Sequence, residues 1–342
     1  MKAAWDWHLP RETPAEQREL VEFVADCGFD TLIVRDPTES MTDRATDLGL
    51  DVVAIVYPYP DETFQERHPD ALQRMRPVEH DVTEALAAAP AGYQSSSFRW
   101  FPIVQGRETV CFDHPDAQTL LQERVTDALS VADGVAFDGF GYQNHYACFC
   151  TRCRERRSSA DDDGTDSSAE GRTDAENGID VESGADADNR NDADALSTLA
   201  NDAEDRLVDI SALLYDHAKS VDSEAIVTNH LWPPFRPNPT YGRRLHLDYC
   251  TQTISWFYRP TWSLDRVAFE AETHRELEDP NRNLFVPFVG VNPDPSLVRS
   301  PERIADELEL ALTYGDGRLV FCTLGPARDD EAIRSVIRDA LA

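Results

Sequence analysis

Residues 13–58 read TPAEQRELVEFVADCGFDTLIVRDPTESMTDRATDLGLDVVAIVYP. Thr13, Pro14 and Glu16 form the start signal of a helix: a capping threonine, a proline at the first helical position and a glutamate three residues after the cap. Leu20, Val21, Phe23 and Val24 follow at helical spacing, and Gly28 ends the helix. Thr31 to Asp36 is then a short apolar strand closed by Pro37. A second helix over about residues 39–48 stops at Gly49. Asp51 to Tyr57 is a further strand, closed by Pro58.

The same alternation runs outward in both directions. An Ala pair leading into Trp5-Asp6-Trp7-His8 is a first strand. After a long connection over 59–112, strands are expected at Gly134–Phe140, Glu224–His230, Asp248–Phe257, Leu284–Val291 and Arg318–Leu324. Helices are expected at about 115–130, 206–220, 264–277, 301–314 and 328–341. Repeated strand–helix units imply a parallel sheet. Eight of them predict an α/β chain folded as a single (β/α)8 TIM barrel domain over 1–342. An open doubly wound sheet is the competing arrangement. No Gly-x-Gly-x-x-Gly follows any strand, which removes the commonest reason for it.

The chain has 64 acidic and 32 basic residues among 342, a formal charge of −32. That charge repels phosphates and argues against a nucleic-acid partner. No apolar run reaches the roughly 18 residues of a membrane span, and the first ten residues lack a secretion signal, so a cytoplasmic location is expected. Only Lys2 and Lys219 are lysine; every other base is arginine. An acidic, lysine-poor surface resembles that of halophilic proteins, where salt screens self-repulsion and carboxylates hold water. Residues 158–205 carry 16 acids, two arginines and no aromatic residue. This stretch is expected to be a disordered acidic insertion after the fourth strand, with a helical alternative for its end near residue 195, because it cannot bury enough apolar area to offset its ordering entropy.

In a barrel, functional side chains sit at the C-terminal ends of the strands. Those positions hold Trp5, Asp6 and His8, then Asp36, Tyr57 and Asp138, then Asn229, His230, Trp256 and Asn292. Any one of them alone could be a helix cap. Together they suit a pocket for a polyhydroxylated ligand, with aromatic faces for sugar rings and polar groups for hydroxyls.

Of seven cysteines, Cys27, Cys250 and Cys322 stand singly in apolar surroundings and read as packing residues. Cys148-Phe-Cys150-Thr-Arg-Cys153 supplies three thiolates within six residues. Cys111, just before the helix leading into the fourth strand, lies on the same rim and makes a fourth. Four soft ligands suit a closed, structural zinc site. Disulfides and a redox Cys-x-x-Cys are the weaker readings.

The stretch from Gly106 through Cys111-Phe-Asp-His-Pro115, the strand Asp133-Gly134-Val135-Ala136-Phe137-Asp138-Gly139-Phe140, and the cysteine triplet resemble two groups. One is glycoside hydrolase family 42, the β-galactosidases, whose barrel carries such a zinc site. The other is a set of uncharacterised glycosyl hydrolase-like barrels. The motif match covers about residues 106–156. It implies a barrel, a structural zinc ion on Cys111, Cys148, Cys150 and Cys153, and a carbohydrate ligand. The family's Asn-Glu at the end of the fourth strand is replaced here by Phe137-Asp138, and Phe285 to Asn292 holds no carboxylate. The family's catalytic pair therefore does not carry over. Asp138 instead resembles the nucleophilic aspartate of α-L-fucosidase-type barrels.

Two functions follow as expectations. One is a glycosidase using a retaining two-carboxylate mechanism, with Asp138 as nucleophile and a second carboxyl group about 5–5.5 Å away. Asp6, Asp36 and Asp294 share the rim, and none is singled out as that partner. The other is a barrel that binds carbohydrate without cleaving it.

Overall fold

Buried on both faces, the apolar runs fold as parallel strands. They are β1 (Lys2–Asp6), β2 (Thr31–Val34), β3 (Asp51–Val56), β4 (Gly134–Phe137), β5 (Ile226–Asn229), β6 (Tyr249–Ser255), β7 (Leu284–Gly290) and β8 (Leu319–Cys322). The computed structural model describes residues 1–7, 9, 11–74, 108–142, 147–162, 184–231, 240–255 and 262–342. The strands hydrogen-bond in the order β5-β4-β3-β2-β1-β8-β7-β6. A parallel bridge between Leu231 and Gln252 joins the two ends, so the sheet is a nearly closed (β/α)8 barrel. Among the described residues no helix is long and apolar enough to cross a membrane.

The join between β5 and β6 relies on side chains as well as backbone. Leu231 N–H donates to the Thr251 carbonyl at 2.8 Å. The Asn229 side-chain oxygen accepts from Thr251 N–H at 2.9 Å. The Thr228 and Thr251 hydroxyls lie 3.2 Å apart, and His230 Nε2 is 3.1 Å from the Thr253 hydroxyl.

Helices α1 (Pro14–Asp26), α2 (Glu39–Asp47), α3 (Glu62–Arg67) and α4 (Pro115–Leu129) follow the early strands. The capping box at α1 forms as read: Glu16 N–H donates to the Thr13 hydroxyl, and the Glu16 carboxylate accepts from Thr13 N–H. After β4 come α5 (Thr151–Asp162) and α6 (Gly184–Val221), then α7 (Tyr241–Arg244), α8 (Leu264–Glu276) and α9 (Pro301–Tyr314). The last expected helix is two, α10 (Gly325–Asp329) and α11 (Glu331–Leu341). They divide at Asp330, whose extended backbone and carboxylate cap α11 at Ala332 N–H.

Two boundaries differ from expectation. β4 stops at Phe137, because Gly139 takes φ +73° and turns the chain off the barrel wall. The expected insertion at 158–205 is also too long at its far end. Residues 163–183 of it lie outside the described residues. α6 begins at Gly184, and within the former insertion Ala203 and Glu204 are buried. Charge pairing fixes this end: Asp202 meets Arg156 at 2.5 Å, and Glu204 meets Arg244 at 2.6 Å.

Candidate functional site

The C-terminal mouth of the barrel rests on an aromatic floor. Trp5 contacts Trp7 at 5.7 Å between ring centroids and Phe288 at 6.1 Å. The His230 ring stacks on Phe288 at 3.9 Å and lies 5.3 Å from Trp5. Trp5 is wholly buried, so it supports the mouth from beneath and offers no face to a ligand.

Asp138 sits on this floor at the end of β4, 4% exposed. Its Oδ1 is buried and makes no hydrogen bond among the described residues. The basic group facing it is the His230 imidazole, whose Nδ1 lies 3.6 Å away. The tautomer that fits both neighbours carries its proton on Nδ1, facing Asp138, and accepts from Thr253 at Nε2. Burial pushes the His230 imidazole below its ordinary value of 6.5, and Asp138 opposes that shift. A histidine kept neutral by folding takes its proton first in the unfolded chain. Stability is therefore full above pH 6.5 and falls as pH drops below it, at up to about 1.4 kcal/mol per pH unit, until the folded group titrates. Denaturant melts at pH 7.5 and 5.5 should show a smaller loss in His230→Gln than in the parent; an equal loss would place the titration elsewhere.

Tyr57, at the end of β3, is half-buried and stacks on Tyr59 at 5.5 Å and 18°. Burial first, and Asp138 second, raise its hydroxyl well above the ordinary 10.0, so it stays a proton donor. The Tyr59 hydroxyl packs where a Gly139 side chain would stand, 2.2 Å from the position of a Cβ. Both the positive φ and this contact require glycine next to Asp138.

The remaining predicted residues divide. Asp6 is buried, but both its oxygens are engaged: one accepts from Leu9 N–H at 2.8 Å, the other from the Thr323 hydroxyl and Leu324 N–H at 3.2 Å each. It ties β1 to β8. Asn229 holds the β5–β6 join, and Asn292 accepts from Asp294 N–H at 2.9 Å in a turn after β7. Asp36 leaves the group: its φ of +49° turns the side chain outward, 84% exposed and 3.2 Å from Arg35. His8 and Trp256 lie outside the described residues.

Sequence reading missed an ion cluster under the rim. Glu307 of α9 is wholly buried and accepts from Arg299 at 2.6 Å, Arg303 at 2.8 Å and Ser255 at 2.8 Å. Arg299 also donates to the Gly290 carbonyl, which connects the ends of β6 and β7. The i, i+4 spacing of Arg303 and Glu307 was the only local sign of it.

Cys111, Cys148, Cys150 and Cys153 converge beside the barrel, all buried, with their sulfurs within 4.8 Å of one another. Cys111 Sγ lies 3.4 Å from Cys153 Sγ and 3.7 Å from Cys150 Sγ. Tetrahedral thiolates at about 2.3 Å from an ion would stand about 3.8 Å apart, so the donor set fits a metal ion. Backbone N–H groups of Arg74 and Cys150 both donate to Cys148 Sγ at 3.4 Å. Proton sharing with Cys111 pulls the Cys148 thiol down and pushes Cys111 itself up. Around the sulfurs, Cys153 donates to Asp113 at 3.2 Å, Arg156 bridges Asp113 and Asp202, and Arg157 donates to the Cys148 carbonyl. This outer shell orients the cysteines and docks α6 against them. Cys27, Cys250 and Cys322 are buried singly, as packing residues.

An eight-stranded parallel barrel with an acidic, aromatic mouth is the architecture of many glycoside hydrolases. Solved structures of that class are similar to this chain over nearly its whole length. The glycoside hydrolase domain of PgaB (BpsB) from Bordetella bronchiseptica superposes with a TM-score of 0.61 at 11% identity, covering 98% of each chain. A polyextremophilic β-galactosidase from the Antarctic haloarchaeon Halorubrum lacusprofundi gives 0.62 at 14%, covering 100% of this chain and 57% of that one. The catalytic domain of a β-amylase from Paenibacillus polymyxa gives 0.57 at 9%, covering 99% and 97%. At these identities the likeness is one of fold. No protein-family model matches the chain, and no curated protein matches it.

Proposed function

We propose that the chain acts on a carbohydrate, hydrolysing a glycosidic bond with Asp138 as the nucleophilic carboxylate. The observation that carries this reading is the buried Asp138 Oδ1, which makes no hydrogen bond among the described residues. A buried carboxylate oxygen without a hydrogen bond costs stability, and such groups concentrate where chemistry uses them. In this retaining reaction Asp138 attacks the anomeric carbon as the glycosidic C–O bond breaks, a second carboxyl group protonates the departing oxygen, and water then releases the sugar from Asp138; Tyr57, kept protonated, donates a hydrogen bond to a sugar hydroxyl. His230 holds Asp138 from behind.

The test is a panel of aryl glycosides with the parent and Asp138→Asn. General acid–base or nucleophilic roles contribute about a hundredfold or more, so kcat/KM should fall by at least that with the melting temperature unchanged. Undiminished turnover in Asp138→Asn would sink the assignment. A binding-only barrel is the second reading. It is favoured by Asp6, whose oxygens are committed to Leu9, Thr323 and Leu324, and by the absence of any carboxylate from Phe285 to Asn292. If no glycoside is cleaved while sugars raise the melting temperature, that reading replaces the first.

The four-cysteine cluster is read as holding one zinc ion, a closed site that clamps loops and leaves no position for substrate. The acid-rich, lysine-poor composition fits a protein of salt-rich cytoplasm.

A further inference from the structure

The His230 ring is held from several sides. It stacks on Phe288 of β7 at 3.9 Å and 20°, and lies 5.3 Å from Trp5 of β1. Its Nε2 meets the hydroxyl of Thr253, a wholly buried residue of β6, at 3.1 Å. Its Nδ1 faces Asp138 Oδ1 at 3.6 Å. Strand β6 departs from regular pairing at this point. Thr253 pairs with Phe288, but Ser255 pairs with the next residue, Val289, which leaves Ile254 as an extra residue. Residues two apart on a regular strand share a face. Across this bulge they part: Thr253 turns to His230, whereas Ser255 turns to Arg299 and to Glu307 of α9. Bulges beside active sites re-aim side chains in this way.

We propose that Thr253 is a positioning residue for Asp138: its hydroxyl donates to His230 Nε2, which keeps the imidazole proton on Nδ1, aimed at the nucleophile. The kinetic consequence rests on the glycosidase reading of the same mouth. A neutral imidazole carries one N–H, and the nitrogen that accepts a hydrogen bond is not the one that holds it. With the proton on Nδ1, a donor faces the Asp138 carboxylate. With the proton on Nε2, a lone pair would face it and repel it. At 3.6 Å the Nδ1–H group stands just beyond hydrogen-bond length, so it orients Oδ1 without tying it down. Oδ1 stays available to attack the anomeric carbon, and no proton leaves His230 at any step.

The experiment joins nitrogen NMR of histidine-labelled protein at neutral pH to kinetics on the aryl glycosides. The signals that vanish in His230→Gln identify this ring among the nine histidines. In the parent, His230 should be the neutral tautomer with its proton on Nδ1. Thr253→Val keeps the shape and removes the donor. It should lose that single state and lower kcat about tenfold, the worth of one hydrogen bond, with KM little changed. Thr253→Ser keeps the hydroxyl and should retain both the tautomer and most of kcat. An Nε2–H tautomer or an imidazolium in the parent overturns the proposal, and that measurement needs no variant to fold. An unchanged tautomer or an unchanged kcat in Thr253→Val overturns it as well. A parent that cleaves no glycoside overturns the glycosidase reading instead, and the spectra then still decide whether Thr253 directs His230.

Discussion

Cys150→Ser protein is expected to purify without bound zinc and to melt about 5 °C lower. Metal analysis should give about one zinc per parent chain. Structural zinc supplies about 10–16 kcal/mol where it alone organises a peptide. Here the barrel core folds on its own contacts, so the loss is confined to what the cluster fastens. That includes the segment around Arg74, whose N–H donates to Cys148, and α5, which begins between Cys150 and Cys153. It also includes α6, held through Arg156 and Asp202. Losing a few kcal/mol in a chain of 342 residues lowers the melting temperature by about 1–2 °C for each. Hydrogen exchange should rise in α6 along with the metal loss. A metal-free parent with the same melting temperature and the same α6 protection would remove zinc from the account.

Glu307→Ala should lower unfolding stability by about 3–5 kcal/mol, read by chemical denaturation, because it leaves a buried guanidinium uncompensated. Arg299 is itself buried and depends on Glu307 at 2.6 Å. Its remaining partners, Ser255 and the Gly290 carbonyl, are neutral. Glu307→Gln keeps the shape and one acceptor but not the charge, and should lose less. Because Arg299 connects the ends of β6 and β7, Glu307→Ala should also weaken sugar binding at the mouth. A loss under about 1 kcal/mol would mean that water reaches Arg299.

The barrel was legible because its strands are apolar runs and its helices carry local punctuation. Thr13 and Glu16 are neighbours in sequence as well as in space, and Gly28 marks the far end of the same helix. What the sequence reading missed depends on distant partners. The far end of the acidic insertion looks unfoldable by composition, yet Asp202 and Glu204 pair with Arg156 and Arg244, each about forty residues away. Asp36 occupies a strand end as predicted, but a positive φ, invisible in the letters, turns it away from the mouth. Asp6 is where it was expected, and its hydrogen bonds to the β8 end commit it to architecture. The cysteines were readable because three of four lie within six residues. Arg299 and Glu307 were not, since nothing local separates a buried arginine or glutamate from the many exposed ones.

The join between β5 and β6 has a dynamic consequence. Every other pair of neighbouring strands shares a ladder of three or more paired residues, whereas here, among the described residues, one isolated bridge, a few backbone hydrogen bonds and a set of threonine, asparagine and histidine side chains do the work. Segments held by fewer backbone hydrogen bonds open at lower free energy than the rest of the fold. The barrel therefore breathes first along this seam. His230 stands on its edge, with Thr253 of β6 across the gap, so a ligand gripping both would close the seam as it binds.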